Sequence, residues 1–435
     1  MIRLRLPPTI NQDTSQKNIK TIYEELDSQF HTGIRFLLMG ASPEKFLGKL
    51  SLTYVLIYLS IILFFMLYAL FEIIVPFFFP GDFLEFMNHI YFGSYCLAFG
   101  YQWIYLLMNL NNIYLNRLNI ESLYSTQAVS GIAEAALRKN LRPFKIAIKC
   151  SIALWSITIL AFGLGSLIEI AVEYLLTGEV ESYAIMSTFP FPPWGQMLVT
   201  ALNFVTLNMG FAEVVAMAYI SGLLALEIET QCEILCAAML QDRDDWFKFR
   251  GYISDHARII KNAKWLIGIL ESLNAPTVFS AYILMAIEMV VLTLVEPDGL
   301  FFVAMASDLM GVVIILIFQG WISSKITLSL QSISFAAYQT SWHEQDKNKA
   351  LDLMIVTQMA QRTYVQKILL GTVVIERGTV LQIARSAYSF YTLLMFSDDR
   401  PSPRVGLLGR QKRAKSLIHY EPEHRIILRS LLLLP

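Results

Sequence analysis

Seven apolar runs, each close to the roughly 20 residues that a helix needs to cross a bilayer, constrain this chain more than any other feature. The runs lie at 51–75, 86–110, 150–174, 197–221, 273–294, 300–323 and 379–396, and the seventh is the shortest and weakest in hydropathy. Charged residues make up 16% of the chain, below the roughly 25% of a soluble domain. The sequence therefore predicts an all-α membrane protein with seven transmembrane helices.

Basic residues mark only one side of the predicted spans. Lys and Arg recur in the N-terminal segment and in the second, fourth and sixth loops, whereas the first, third and fifth loops contain neither. Because positively charged loops stay in the cytoplasm, the N-terminus is predicted to be cytoplasmic and the C-terminus external. This orientation is the opposite of that of a G-protein-coupled receptor.

The predicted spans divide the chain into three parts. Residues 1–49 are predicted to form a cytoplasmic N-terminal segment with an amphipathic helix around Ile19–Leu37, which either lies on the membrane surface or packs on the rest of the protein. Residues 50–396 are predicted to form the seven-transmembrane domain. Residues 397–435 form an atypical basic tail that the topology places outside, against the usual charge rule, and we expect it to be disordered.

Helical patterns continue beyond the membrane on the predicted cytoplasmic side. Apolar residues recur at helical spacing over about 223–272 and 324–374, including a helix from Lys347 to Val374 that precedes a break at 376–378. Apolar helix faces outside a membrane need partners. We therefore expect these helices to pack into a cytoplasmic bundle, which includes contacts between subunits.

The seventh run carries a polar stripe with one bulky aliphatic residue in it. At 100° per residue, one face contains Gln382, Ser386, Ser389 and Leu393, flanked by Arg385, Thr392 and Phe396. Such a stripe needs water or protein beside it in a bilayer. Two interpretations remain open, a pore wall with a hydrophobic constriction and a buried seam between helices.

Ionisable residues inside the spans are the other candidates for function. They are Glu169, Glu213, Glu288 and Asp308, and each either faces a water-filled cavity, pairs with a neighbour or is protonated.

Cys232 and Cys236 are four residues apart with no further ligand nearby in sequence, so buried thiols are expected rather than a metal site. The chain lacks nucleotide-binding, metalloprotease and serine-hydrolase motifs. We therefore expect no enzyme activity and no cofactor. The net charge of −1 creates no positive potential that would attract nucleic acid, so no nucleic-acid partner is expected.

The C-terminal residues resemble the signature of the insect odorant receptor family. The match comprises Ala337-Tyr338-x-x-x-Trp342, a break, and then Ser386-Ala-Tyr388-Ser-Phe390-Tyr391-Thr-Leu-Leu394, in which the two adjacent aromatics stand in the inverse of the family's usual order. An Ile-x-x-His-x-x-Ile pattern of the family is matched less closely by 253–260, which contains His256. The resemblance implies a tuning receptor, a subunit of an odorant-gated, non-selective cation channel. It further implies a tetramer with the odorant co-receptor in the plasma membrane of sensory neuron dendrites.

The resemblance also implies roles for particular residues. The hydrophobic gate falls on Leu393, and the polar pore positions are Gln382, Ser386, Ser389 and Thr392. The subunit-anchor motif comprises Tyr338, Trp342, His256 and Tyr388. The small volatile ligand is expected in the outer half of the bundle, where residues of suitable character are Tyr91, Tyr95, Phe162, Ser166, Phe204, Met209, Met285, Met289, Phe302 and Met305. Ordinary helix packing is the alternative for each of these.

Two other classes of function stay open. A gustatory-type chemoreceptor channel is the nearest, although its usual C-terminal Thr-Tyr-x-x-x-x-Gln-Phe is absent from this chain. A non-channel membrane scaffold is more distant and predicts no ligand-dependent current. Arg385 disfavours a cation pathway on its own side of the seventh run, where a subunit contact is the alternative.

Overall fold

The computed structural model describes most of the predicted membrane and cytoplasmic helices. It covers residues 26–34, 52–78, 83–126, 130–160, 166–178, 193–242, 245–294, 300–340, 342–344, 347–362, 364–368, 371–376 and 378–396. The ends of the predicted N-terminal helix, Phe162 and the tail 397–435 lie outside these residues. The chain forms two compact units, Met1–Ala387 and Tyr388–Pro435.

Helices make up nearly all of the described structure. They are α1 (26–34), α2 (Leu52–Phe78), α3 (Phe83–Thr126), α4 (Ser130–Ile159), α5 (Ser166–Thr177), α6 (Pro193–Gln241), α7 (Trp246–Leu294), α8 (Leu300–Tyr338), α9 (Lys347–Gln361) and α10 (Thr379–Phe396). A 3₁₀ turn, Trp342–Glu344, and two strands, β1 (Gln366–Ile368) and β2 (Val373–Ile375), complete the described elements.

The predicted all-α membrane class is confirmed, and the described part of each predicted span overlaps a helix. The first, second, fourth, fifth and sixth spans lie in α2, α3, α6, α7 and α8, the third is shared by α4 and α5, and the seventh coincides with α10. Among the described residues, α6, α7 and α8 contain the segments long and apolar enough to cross a membrane, and Ser60–Ile74 of α2 is a shorter apolar segment.

Helix α6 is the central helix of the first unit. It packs against α3, α4, α7 and α8, and all residues from Ile220 to Cys232 are buried. The buried stretch includes two acids that form ion pairs with neighbouring helices, Glu227 with Arg117 and Glu229 with Lys325. Close packing also depends on Gly222, since a Cβ atom there would lie 2.3 Å from Cε2 of Phe144.

Helix α2 carries a continuous apolar surface on its outer side. Leu63, Leu67 and Phe71 are exposed in the described chain, and Phe77 and Phe78 are the most exposed of its large side chains. An apolar patch of this extent is not stable in water. The face is therefore suited to contact with lipid or with another membrane-embedded subunit.

The short helix α1 packs on the rest of the protein, one of the two arrangements expected for the N-terminal segment. Leu26, Phe30 and Ile34 recur at helical spacing and are all buried. Arg117 of α3 lies 4.7 Å above the Phe30 ring and forms ion pairs with Asp27 at 2.5 Å and with Glu227 of α6 at 3.2 Å. A single buried guanidinium thus joins α1, α3 and α6.

The connection between α6 and α7 is held by a polar cluster around Asp242. Its carboxylate accepts a hydrogen bond from the Tyr252 hydroxyl at 2.6 Å and from Lys248 Nζ at 2.9 Å. These two donors hold the pKa of Asp242 below its usual range, because both favour the charged form. The two helices, with 49 residues each, are about 74 Å long at 1.5 Å per residue, so both extend beyond a bilayer.

The predicted helix from Lys347 to Val374 is wrong in its second half. Helix α9 ends at Gln361, and an antiparallel hairpin follows in which Gln366 pairs with Ile375 and Ile368 with Val373. Gly371 adopts a φ of 86° in the turn, a conformation that excludes a continuing right-handed helix. The β-branched run 372–375 then favours a strand.

The hairpin is fixed to α7 and leads directly into α10. The side chain of Asn274 donates to Gln366 at 2.7 Å, and the backbone N–H of Lys367 donates to Glu271 at 2.7 Å. The Thr379 hydroxyl donates to the Val374 carbonyl oxygen at 2.6 Å and accepts from the Glu376 N–H at 2.7 Å. The predicted break before the last helix is therefore a structured junction.

Candidate functional site

Six of the ten predicted odorant-site residues lie together in one apolar cluster, hereafter the outer cluster. Tyr91, Tyr95, Met285 and Met305 are buried members of it, at 1–4% exposure. Met209 and Met289 pack against it. These six residues lie on α3, α6, α7 and α8, and α2, α4, the hairpin and the start of α10 also contribute buried residues to the cluster, so residues that are more than 200 positions apart in sequence meet there.

The other four predicted residues are not part of the described outer cluster. Phe204 is half-buried on α6, and its carbonyl oxygen accepts a hydrogen bond from Asn208 at 2.6 Å. Ser166 and Phe302 lie on α5 and α8, but their side chains, like all of Phe162, are outside the described structure. The described part of the site is therefore made by two tyrosines and four methionines.

Tyr95 is held by aromatic contacts that leave its hydroxyl group without a partner. Its ring meets Phe99 edge to face with centroids 4.2 Å apart, and the Trp155 ring lies 6.4 Å away. Gly210 of α6 makes room for the ring, since a Cβ atom there would lie 2.9 Å from Cε1 of Tyr95. Within the described residues the buried hydroxyl has no hydrogen-bond partner, so it can bond a polar group of a ligand.

The intramembrane acids have different environments. Asp308 accepts a hydrogen bond from the Tyr91 hydroxyl at the edge of the outer cluster. Glu213 and Glu288 are buried, and none of their carboxyl oxygens has a hydrogen-bond partner in the described structure. The side chain of Glu169 lies outside the described residues. Glu213 lies one turn from Gly210, on the side of α6 that faces Tyr95, which gives the site a second polar group.

Two features of this region were not predicted from the sequence. Trp155 is a buried member of the outer cluster, although it lies only five residues from the predicted cytoplasmic end of the third span, close to the interface where Trp is common. Glu72 and His89 form a buried pair at 2.6 Å that joins α2 to α3. This pairing could not be predicted from the sequence, because the two residues lie on different helices.

Helix α10 is buried on one face and exposed on its polar one. Thr379, Ile383 and Ala387 are buried, whereas Gln382 and Ser386 are exposed. In the second unit, Ser389 is exposed and accepts a hydrogen bond at its carbonyl oxygen from the Thr392 hydroxyl at 2.8 Å. Leu393 lies on the same helix, and its side chain is outside the described residues. Gln382, Ser386 and Ser389 are thus exposed in the described chain.

The four predicted anchor residues differ in exposure. His256 is buried on α7, and its Nε2 has no partner among the described residues. Tyr338 is 64% exposed at the end of α8, and Trp342 lies in the 3₁₀ turn with its side chain outside the described structure. Tyr388 is 59% exposed, and its ring lies 5.9 Å from that of Tyr391. Tyr338 and Tyr388 are thus exposed in the described chain.

Cys232 and Cys236 are buried in α6, as expected for structural thiols, and the Sγ atom of Cys236 lies 3.5 Å from the Ser332 hydroxyl. Within the described ranges, no group of three or more His, Cys, Asp or Glu side chains is arranged to hold a metal ion.

Comparison with known proteins relates this architecture to a family. A family model described as 7tm Odorant receptor matches residues 113–388. The structure of the insect olfactory receptor OR5 from Machilis hrabei in complex with eugenol is similar in fold, with a TM-score of 0.69 and 13% identity over 89% of this chain and 100% of that chain. A second structure of that receptor has a TM-score of 0.65 and 12% identity over the same shares. No curated protein sequence matches the chain. Since the family model spans more than half of the sequence, this protein belongs to the 7tm odorant receptor family.

Proposed function

We propose that this chain is the ligand-binding subunit of an odorant-gated, non-selective cation channel. The observation that carries the proposal is the joint presence of two features in a chain of this family. The outer cluster is a buried apolar site with partner-free polar groups, and α10 exposes the polar face that an ion pathway needs.

The ligand class follows from the chemistry of the outer cluster. Methionine and aromatic side chains form an apolar, adaptable wall suited to small volatile molecules of varied shape. The Tyr95 hydroxyl supplies one hydrogen bond, and Glu213 supplies a nearby acceptor or donor. The similarity in fold to a receptor solved with eugenol, a small phenolic volatile, supports a ligand that combines an apolar body with one polar group.

The ion pathway is proposed along α10. Gln382, Ser386, Ser389 and Thr392 line it, and Leu393 forms the hydrophobic gate, which closes by excluding water from a narrow ring of aliphatic side chains. One chain cannot enclose a pathway with a single helix face, so several subunits are needed. We propose a tetramer with the co-receptor in the plasma membrane, with a cytoplasmic N-terminus and with contacts that include Tyr338 and Tyr388.

Removing the Tyr95 hydroxyl tests the odorant site. Tyr95→Phe keeps the ring against Phe99 and Trp155 and deletes one hydrogen bond, which is worth about 1–1.5 kcal/mol. We expect the half-maximal concentration for a hydroxyl-bearing odorant to rise about tenfold, since ~1.4 kcal/mol corresponds to that factor. The response to a hydrocarbon of the same size should be unchanged. Concentration–response curves of whole-cell current measure both.

Tyr101→Phe is the matched control for this substitution, because Tyr101 lies on the same helix and is exposed. It should shift neither curve. An equal shift for the two odorants, or no shift for either, would show that the Tyr95 hydroxyl does not contact the ligand.

The function itself is tested by current recording in cells that express this chain with the co-receptor and receive a panel of volatiles. We expect an inward cation current that requires both subunits and a volatile. A chain that reaches the cell surface with the co-receptor and stays silent across a broad panel would contradict the proposal and favour the non-channel scaffold.

A further inference from the structure

Helix α4 carries a stripe of basic side chains just before it enters the predicted third span. Residues 130–149 contain five basic residues and one acidic residue, and the span begins at residue 150. At 100° per residue, four of the five basic residues lie within an arc of about 60°. They are Arg138, Arg142 and Lys149, which are exposed, and Lys145, which is half-buried. These four residues are hereafter the basic stripe.

Exposed apolar residues show what this side of α4 faces. Ile146 lies between Arg142 and Lys149 along the helix and is 55% exposed, and Ile157, within the span, is 51% exposed. Both lie within about 80° of Lys149 around the helix axis. Large aliphatic side chains that are exposed in a membrane protein are suited to contact with lipid chains. The same side of α4 therefore passes from lipid chains to lipid headgroups as the helix leaves the bilayer.

The spacing of the basic stripe matches the depth of the headgroup layer. At 1.5 Å per residue, Lys145 lies about 6 Å and Arg142 about 10 Å along the helix from Lys149. The headgroup layer on one side of a bilayer is about 5–8 Å thick. Long basic side chains extend toward it from either side. Lys149, Lys145 and Arg142 can thus reach lipid phosphates, and Arg138, about 16 Å from Lys149, adds a partly screened charge.

The pairing of the charges distinguishes this stripe from other basic residues of the same region. Acids of α6 form ion pairs with basic residues on three neighbouring helices, and the pairs are Arg117–Glu227, Lys139–Glu233 and Lys325–Glu229. Arg142 and Lys149 form no ion pair with any residue that the structure describes. Their charges are thus available to an anion outside the chain. A guanidinium binds a phosphate group through two parallel hydrogen bonds, and a lysine binds it as a point charge.

We propose that the basic stripe binds the headgroups of anionic phospholipids, such as phosphatidylserine, with Arg142 and Lys149 in contact with phosphate. A lipid is the occupant because the charges continue directly into an exposed apolar surface on the same side of the helix. A soluble phosphate or an acidic protein surface would leave Ile146 and Ile157 uncovered. The binding requires neither an odorant nor a current, and the assignment to the cytoplasmic leaflet rests on the proposed orientation of the chain.

Cys150 provides a reporter for this site. It is exposed and adjacent to Lys149, whereas Cys96, Cys232 and Cys236 are buried, so a bimane fluorophore can be attached at this position in the purified full chain. The labelled protein is placed in phosphatidylcholine nanodiscs that contain brominated phosphatidylserine or, at the same mole fraction, brominated phosphatidylcholine. Quenching by each brominated lipid gives its relative binding constant beside α4. Both leaflets of a nanodisc have the same composition, so the result does not depend on the orientation.

We expect phosphatidylserine to be preferred at the labelled site by about tenfold. In Arg142→Gln with Lys149→Gln, the preference should fall at least about fivefold, since one basic side chain at an anionic surface contributes roughly a fivefold factor. Both substituted side chains are exposed, so the variant is expected to fold. Excess soluble glycerophosphoserine should leave the wild-type preference unchanged.

Arg258→Gln with Lys261→Gln is the matched control. It makes the same change in charge at two exposed positions of α7, about 18–22 Å before the predicted fifth span begins, and it should retain the full preference. Equal quenching of the wild type by the two brominated lipids would overturn the proposal, as would an undiminished preference in Arg142→Gln with Lys149→Gln. An equal loss in the control variant would assign the preference to overall charge, and reversal by glycerophosphoserine would assign the site to soluble phosphates; either result would also overturn it.

Discussion

Channels that contain Leu393→Ala are expected to carry a basal current about tenfold larger than the wild-type channel. The substitution removes ~1.4 kcal/mol of apolar contact from the closed state, which shifts the equilibrium between closed and open channels toward the open state by that factor. The proposed gate is a ring of aliphatic side chains that excludes water when closed. Alanine at this position widens the ring and removes the apolar contacts that hold it shut. Whole-cell recording without odorant, normalised to the amount of protein at the surface, measures the effect.

Val380→Ala is the matched control for the gate. Val380 is on the same helix, but at 100° per residue it lies about 140° around the helix from Leu393 and outside the proposed pore stripe. It should leave the basal current unchanged. Equal basal currents for the wild type and Leu393→Ala at equal surface expression would contradict the gate assignment.

Arg117→Ala is expected to have the largest effect on folding. The substitution removes the guanidinium from the buried Glu227 carboxylate, breaks the ion pair with Asp27, and removes the contact with Phe30. Breaking a buried ion pair in this way is destabilising by about 3–5 kcal/mol, against a total stability of roughly 5–15 kcal/mol for a typical protein. We expect most of the chain to be lost from the cell surface, as measured by surface biotinylation.

Lys139→Ala provides the comparison for Arg117. This substitution breaks a different ion pair, the one between Lys139 of α4 and Glu233 of α6 at 3.0 Å, but the lysine side chain is 71% exposed. Pairs of this kind contribute about 0–1 kcal/mol, so surface expression should remain near that of the wild type. Similar losses for the two variants would show that the Arg117 network does not stabilise the fold.

The parts of the fold that could be predicted are those with a strong local signal. The seven apolar runs identify helices because a bilayer demands about 20 apolar residues per span. Leu26, Phe30 and Ile34 identify α1 because they recur at helical spacing and are buried together. The break before Thr379 is visible as a loss of the apolar pattern.

The hairpin at 366–375 was not predicted, because strands of three residues are too short for a periodic signal. Tertiary contacts also fix the hairpin, among them the hydrogen bond from Asn274 to Gln366, and such contacts leave no local pattern in the sequence. The β-branched run and Gly371 were the available indications.

The candidate site could be predicted by residue type but not by arrangement. Tyrosine and methionine in the outer halves of the spans indicated an apolar site, and Tyr91, Tyr95, Met285 and Met305 do lie together. The hydrogen bond between Tyr91 and Asp308 joins residues 217 positions apart, and the Tyr95 hydroxyl lacks a partner among the described residues only because of the side chains that pack around it. Both depend on how the helices pack.

Cysteine accessibility along α10 tests the central claim, an ion pathway on the polar face of this helix, most directly. Gln382→Cys and Ser386→Cys would be compared with Ala387→Cys, whose position is buried, in a chain whose exposed Cys150 is replaced by serine. A charged methanethiosulfonate reagent should change the odorant-evoked current irreversibly in Gln382→Cys and Ser386→Cys, faster during odorant application, and leave Ala387→Cys unchanged. Modification of Ala387→Cys together with insensitivity of Gln382→Cys and Ser386→Cys would place the pathway elsewhere.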